Sequence, residues 1–326
     1  MLAYLRKIKK QLSLQIGFFA EAYHFWRLTV KYNASNKTDE DIIKMQYTLS
    51  RETHTIEKGM SMRNPRKGFG QQKVSCLIER LKRYCTLYLD QDSEFLKYPL
   101  SVVNNYIEYT HNSGVEIPEI DGSYKELLSI AGNMDLTCKA GILKETKEHI
   151  IENCNKDFES LLFSRHSIRF FSAEPVKEDL INKALLLAQR TPSACNRQGW
   201  LTHIYRTPKS IELIKWQGGC RGFEEEIRCA ILVTANLKAF LSHEVHQAYI
   251  DGGLYAMNLI NALHSLGMGT IPLSCGFSFV KLKELSKFDI PECEVPIVII
   301  GIGNYPSSFN VAVSERKNIE ITNKYH

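Results

Sequence analysis

The chain has 326 residues, 44% hydrophobic and 24% charged, which is room for two ordinary globular domains and excludes a disordered or low-complexity protein. Nine cysteines, an odd count with no Cys-x-x-Cys pair, exclude a disulfide framework and a paired-cysteine zinc site and fit a reducing compartment, the cytoplasm. The net charge of +5 resides in residues 1–31, where Arg6, Lys7, Lys9, Lys10, Arg27 and Lys31 stand against Glu21 alone, and the neutral remainder argues against a nucleic-acid-binding surface.

Leu5, Ile8, Leu12, Ile16, Phe19, Tyr23, Trp26 and Val30 recur every three or four residues, which predicts a first helix. Leu14, Phe18 and Phe25 widen its apolar side. Two readings stay open: the stripe packs on the rest of a helical domain, or residues 1–31 lie on anionic lipid as a peripheral contact at the inner face of the membrane. Gln15, Glu21 and His24 interrupt the apolar residues and no cleavage site follows, so the segment does not read as a signal peptide; no run of about 18 apolar residues occurs anywhere.

Thr38-Asp39-Glu40-Asp41 looks like the start of a helix reaching about Met60. Asn64 to Gly70 is dense in turn residues, and a third helix follows with Val74, Leu77, Ile78, Leu81 and Cys85 on one face. A fourth covers Glu94 to Thr110, and Asn112 to Gly122 reads as loop. Residues 1–150 thus read as an all-helical region without strands. His54 and Glu57, three apart on one helix face, read as a structural contact with the following domain rather than a metal site.

From residue 151 to 326 the pattern changes. A helix over Lys177 to Gln189 leads through a turn-rich loop to a strand, Trp200 to Tyr205. Cys229 to Thr234 is a second strand, His246 to Leu266 a long helix closed by Gly267, and Val295 to Ile302 a central strand. Helices interleaved with strands predict a mixed layer fold.

Four segments carry chemistry. Arg165-His166-Ser167-Ile168-Arg169 sets two guanidiniums around a hydroxyl and an imidazole, a donor set for phosphate oxygens, although a solvated charge cluster explains it as well. Thr191 to Trp200 places Asn196 and Gln198 on a loop, where amides offer donors and acceptors to a heterocycle edge; an ordinary turn is the alternative. Ser274-Cys275-Gly276 is a small-residue loop with accessible backbone, and Arg316-Lys317 is a late basic pair.

Arg-His-Ser-x-Arg, Pro-Ser-x-x-Asn-x-Gln-x-Trp, a segment ending Leu-Gly-Met-Gly-Thr, and a strand ending Gly-x-Gly-x-x-Pro occur in this order between Asp157 and Lys317. Together they resemble the nitroreductase family. The resemblance implies an α+β fold, a nitroreductase-like central β-sheet flanked by helices, preceded here by the all-helical region. It implies a homodimer that binds FMN, draws electrons from NADH or NADPH, and passes them to a small-molecule acceptor. By position, Arg165, His166, Ser167 and Arg169 hold the phosphate and ribityl chain, with Arg316 and Lys317 completing the phosphate site. Asn196 and Gln198 meet the flavin ring, and the backbone at Cys275 and Gly276 approaches it. The flavin carries the chemistry, so no side chain is assigned as catalytic. Two positions depart from many relatives, Gly199 where proline is common and Cys275 where an acid stands. The N-terminal region resembles extensions found in nitroreductase-like proteins of bacterial surface-glycan clusters. The alternative function is therefore a non-catalytic flavin-binding or partner-binding protein serving surface polysaccharide biosynthesis.

Overall fold

The computed structural model of the protein describes residues 2–32, 41–132, 134, 136, 139–241 and 244–326, with some side chains of the first helix and that of Phe279 outside the description. The chain divides into two compact units: Met1–Lys31 with Thr146–Ser308, and Tyr32–Glu145 with Phe309–His326. The division falls near Thr146. The first helix groups with the sheet unit and the C-terminal tail with the helical unit, unlike a single cut at 150.

The first helix, α1 (Leu2–Tyr32), runs as the periodicity predicts. The helical unit holds α2 (Ile42–Met60), α3 (Gln71–Tyr88), α4 (Lys97–Asn112) and α5 (Pro118–Ala131). Asp41, the last residue of the acidic run, is itself the cap of α2 and accepts the Lys44 N–H at 3.0 Å, so no acid lies in the first turn; Thr38 to Glu40 lie outside the described residues. Leu49 and Ile56 of α2 join Val74, Leu77, Ile78 and Leu81 of α3 and Leu100, Val103 and Tyr106 of α4 in one core. The expectation of no strand before 150 is corrected. β1 (Ile142–Thr146) pairs with β6 (Ser308–Ala312), and its alternation with Lys144 and Glu145 is too short to read as a strand without that distant partner. The loop expected from Asn112 to Gly122 also ends early, because Pro118 occupies the first helical position of α5, where its missing N–H costs nothing.

In this unit Glu57 is fully buried and accepts the Gly141 N–H at 3.0 Å. Its second oxygen is 3.8 Å from His54 Nδ1, and Ser314 Oγ stands 3.3 Å from the same nitrogen. The Glu315 N–H donates to the Tyr98 hydroxyl at 3.2 Å. Burial first and the charge of Glu57 second push the Tyr98 hydroxyl pKa up, and the same two causes raise the Glu315 carboxyl.

The sheet unit begins with α6 (Lys147–Asn153) and α7 (Phe158–Ser164), followed by α8 (Glu178–Ala188). Its sheet has the order β2 (Trp200–Arg206), β3 (Cys229–Asn236), β5 (Glu294–Asn304), β4 (Met268–Ser274), antiparallel throughout. α9 (Lys209–Gln217) follows β2, and α10 (Gln247–Ser265) precedes β4. Ile181 and Ala184 of α8 and Tyr255, Leu259 and Leu263 of α10 bury against Ile231, Val233, Ile300 and Ile302 of the sheet. Trp200 stacks on Tyr255 with ring centroids 4.8 Å apart. β4 was not legible as a strand, because Gly269 and Pro272 break its β-branched run. The helix ends at Gly267 (φ 75°), and the edge position opposite Ile300 tolerates the proline's missing N–H.

Candidate active site of the sheet unit

After α7 the backbone extends at Arg165 and runs beside β4. Ser167 forms a parallel bridge with Thr270, and the Ile168 N–H donates to the Thr270 carbonyl at 2.8 Å. Ile168 points into the core, Arg165, His166 and Ser167 are half-buried, and Arg169 is buried. A neutral polar chain underlies this cationic loop. His264 is fully buried, with Nδ1 2.9 Å from the Tyr305 hydroxyl and Nε2 2.9 Å from Ser164 Oγ. Burial above all, then the charges of Arg165 and His166, lower its pKa to about 4. Burial raises the Tyr305 hydroxyl, which stays protonated and donates to Nδ1. The tautomer assigned by these partners carries its proton on Nε2 and donates to Ser164 Oγ, whose hydroxyl in turn reaches the Leu161 carbonyl at 3.4 Å.

The loop before β2 is strained. Cys195, Asn196 and Gln198 have φ of 52°, 53° and 49°, a region that costs non-glycine residues about 1–3 kcal/mol each and survives only where the surroundings enforce it. Asp251, buried in the first turns of α10, accepts the Ala194 N–H at 3.2 and 3.3 Å and Gln247 Nε2 at 2.7 Å. Arg197 forks onto Glu244 at 2.7 and 2.8 Å and returns its Nε to the Ala194 carbonyl at 2.9 Å. The Gln198 N–H donates to Ser193 Oγ at 2.9 Å. Asn196 and Gln198 remain exposed, the Gln198 amide donating to Asn196 Oδ1 at 3.2 Å. At Gly199 a Cβ would stand 2.9 Å from Ala239 and from Phe240, so this departure from proline follows from packing. Sequence reading singled out Asn196 and Gln198 and missed the side chains that support their loop. Asp251 looked like part of a helix start, and Glu244 carried no signal.

At the far end of β4 the Ser274 carbonyl accepts Gln217 Nε2 at 3.0 Å. Cys275 is buried, and desolvation raises its thiol to about 12, so sulfur is present as neutral thiol. A Cβ at Gly276 would meet nothing within 4 Å, which leaves that backbone open. Lys281 Nζ lies over the Phe277 ring at 4.3 Å. The structure thus ties Arg165–Arg169 to the start of β4 and Ser274–Gly276 to its end, and ties Asn196 and Gln198 to the start of α10, which packs on the same sheet. Arg316 and Lys317 belong to the helical unit, where Arg316 Nη1 donates to the Ser314 carbonyl and Lys317 Nζ lies 4.2 Å from the Tyr47 ring centroid. The donor set of the sheet unit fits a phosphorylated flavin, with cations and a hydroxyl on one loop and amides on a second.

The family model described as the nitroreductase family matches residues 162–304. An NADH dehydrogenase of Thermus thermophilus is 30% identical, over 46% of this chain and 87% of that protein. The chain belongs to the nitroreductase family. A protein of Methanothermobacter thermautotrophicus named as an NADH dehydrogenase/NAD(P)H nitroreductase is 28% identical over 44% of this chain and 74% of its own length. A crystal structure of a nitroreductase from Exiguobacterium sibiricum in complex with FMN is 18% identical, covers 52% of this chain and 98% of that one, and superposes with a TM-score of 0.45. Family membership makes the protein an NAD(P)H-dependent oxidoreductase with FMN as its cofactor. The matched segment contains all three loops of the sheet unit and stops short of Arg316.

Proposed function

We propose that the protein is an NAD(P)H:acceptor oxidoreductase that works by ping-pong transfer as a cytoplasmic homodimer. When bound, FMN supplies hydride chemistry, accepting from NADH or NADPH and delivering to a small organic acceptor. The chain's own residues bind and orient. Arg165, Ser167 and Arg169 would hold the phosphate, and His166 would hold the ribityl chain. Asn196 and Gln198 present their amides to the ring, and the open backbone at Gly276 lets the ring approach. The neutral Cys275 thiol adds no charge beside it. The observation that carries the reading is the strained loop at 195–198, held open by Asp251 and the Arg197–Glu244 fork with its polar side chains outward. Strained backbone of this kind clusters at ligand sites and supports the reading here.

Anaerobic stopped-flow absorbance tests this proposal. NADH or NADPH alone should bleach the bound flavin, and a quinone or nitroaromatic acceptor should restore it in a second mixing step. Flavin that no nicotinamide bleaches would favour the non-catalytic flavin-binding alternative. Intersecting rather than parallel initial-velocity lines would overturn the ping-pong order.

A further inference from the structure

The helix α1 exposes the side that its sequence makes apolar. Ile8, Leu12, Ile16, Phe19, Tyr23 and Trp26 are 38–70% exposed. At 100° per residue they fall within an arc of about 80°. Arg6, Lys9, Lys10 and Arg27, all exposed, occupy the neighbouring arc of about 100°. Leu14 and Phe18 lie outside the stripe and are exposed as well. The first turn holds no acid, so nothing there offsets the cations. Among the described residues no helix is long and apolar enough to cross a membrane.

We infer that α1 lies on an anionic bilayer surface, its aromatic and aliphatic arc in the acyl boundary and its cations among the headgroups. Three features select this occupant. The stripe mixes Phe with Tyr and Trp, rings that seat at the headgroup level. Lys9 and Arg27 border the apolar arc, where they reach lipid phosphates while the arc is buried, and Arg6 and Lys10 lie further round the helix. The remainder of the chain is electrically neutral, so the attraction is localised in this helix. The reading extends beyond FMN chemistry and places the oxidoreductase at a surface where its acceptor would be met.

The experiment is flotation of the full-length, FMN-loaded protein with vesicles of phosphatidylglycerol and phosphatidylcholine, or of phosphatidylcholine alone, at low and high salt. Recovery on anionic vesicles at low salt should exceed that on neutral vesicles by about tenfold and be lost at high salt. Phe19→Glu with Trp26→Glu, and separately Arg6→Glu with Lys9→Glu and Lys10→Glu, should each abolish it while FMN content stays at the wild-type level. No recovery on either vesicle, or equal recovery on both, overturns the inference. So does a Phe19→Glu/Trp26→Glu protein that turns from dimer to monomer while the wild type ignores vesicles, because α1 would then be covered by a second copy of the chain.

Discussion

Both units bury a carboxylate that receives a backbone N–H, and they use it to different ends. In the sheet unit Asp251 holds Ala194 and thereby a loop whose Asn196 and Gln198 side chains stay outside. In the helical unit Glu57 holds Gly141, and the neighbouring His54 and Tyr98 take up Ser314 and Glu315 of the C-terminal tail. The first arrangement leaves the amides of Asn196 and Gln198 exposed, and the second fastens chain segments together, with Ser314 also at positive φ (49°). Neither a buried acid nor a positive φ is therefore by itself the mark of a site; what distinguishes the sheet unit is the pair of exposed amides at Asn196 and Gln198.

The largest difference between the units should appear in cofactor affinity. If Arg165 holds the phosphate as proposed, Arg165→Ala should lose a charge-assisted bond worth about 1.5–3 kcal/mol, roughly a 10- to 150-fold loss of FMN affinity by fluorescence titration of the apoprotein. Glu57→Gln, in the other unit, should leave FMN affinity within about twofold. Equal losses in the two variants would break the comparison.

The next effect concerns pH. His264 has a folded pKa of about 4 against an ordinary value of 6.5, so the unfolded chain takes up its proton first as pH falls. Its contribution to stability is complete above pH 6.5 and is lost as pH falls to 4, by up to about 3 kcal/mol. Urea unfolding across that window should show a slope that His264→Gln flattens. An unchanged slope would mean that the buried imidazole does not resist protonation.

A smaller effect separates the two buried acids directly. Asp251→Asn and Glu57→Gln should each cost about 1–2 kcal/mol of stability. Only Asp251→Asn should shift the visible flavin spectrum and weaken FMN, by roughly three- to tenfold, through the loosened loop. Smallest of all is Cys275→Ala. With the thiol held near 12, the pH–rate profile around neutrality should not move and turnover should stay within about twofold. A lost ionisation in that profile would show a thiolate at work.

How much of this was legible follows from distance along the chain. The strand β5 was read directly from Val-Pro-Ile-Val-Ile-Ile-Gly-Ile, and α1 and α10 from their periodicity, because each signal lies within one element. The segment Arg165–Arg169 was legible as a donor set because its residues are adjacent. β4 was not, since its glycine and proline conceal a strand that only β5 reveals. The supports of the site were hidden for the same reason. Ala194 meets Asp251 57 positions on, Arg197 meets Glu244 47 on, and Ser164 meets His264 100 on. No local pattern encodes such pairs; burial and packing bring them together.

The phosphate group itself provides the most direct test. FMN and riboflavin share the ring and ribityl chain and differ only in the phosphate assigned to Arg165, Ser167 and Arg169. Titration of the apoprotein with both should give FMN an affinity at least about 100-fold above that of riboflavin, collapsing toward parity in the Arg165→Ala/Arg169→Ala double variant. Equal wild-type affinities for the two flavins, or a preference that survives the double substitution, would contradict the assignment of the loop at 165–169 as the phosphate site.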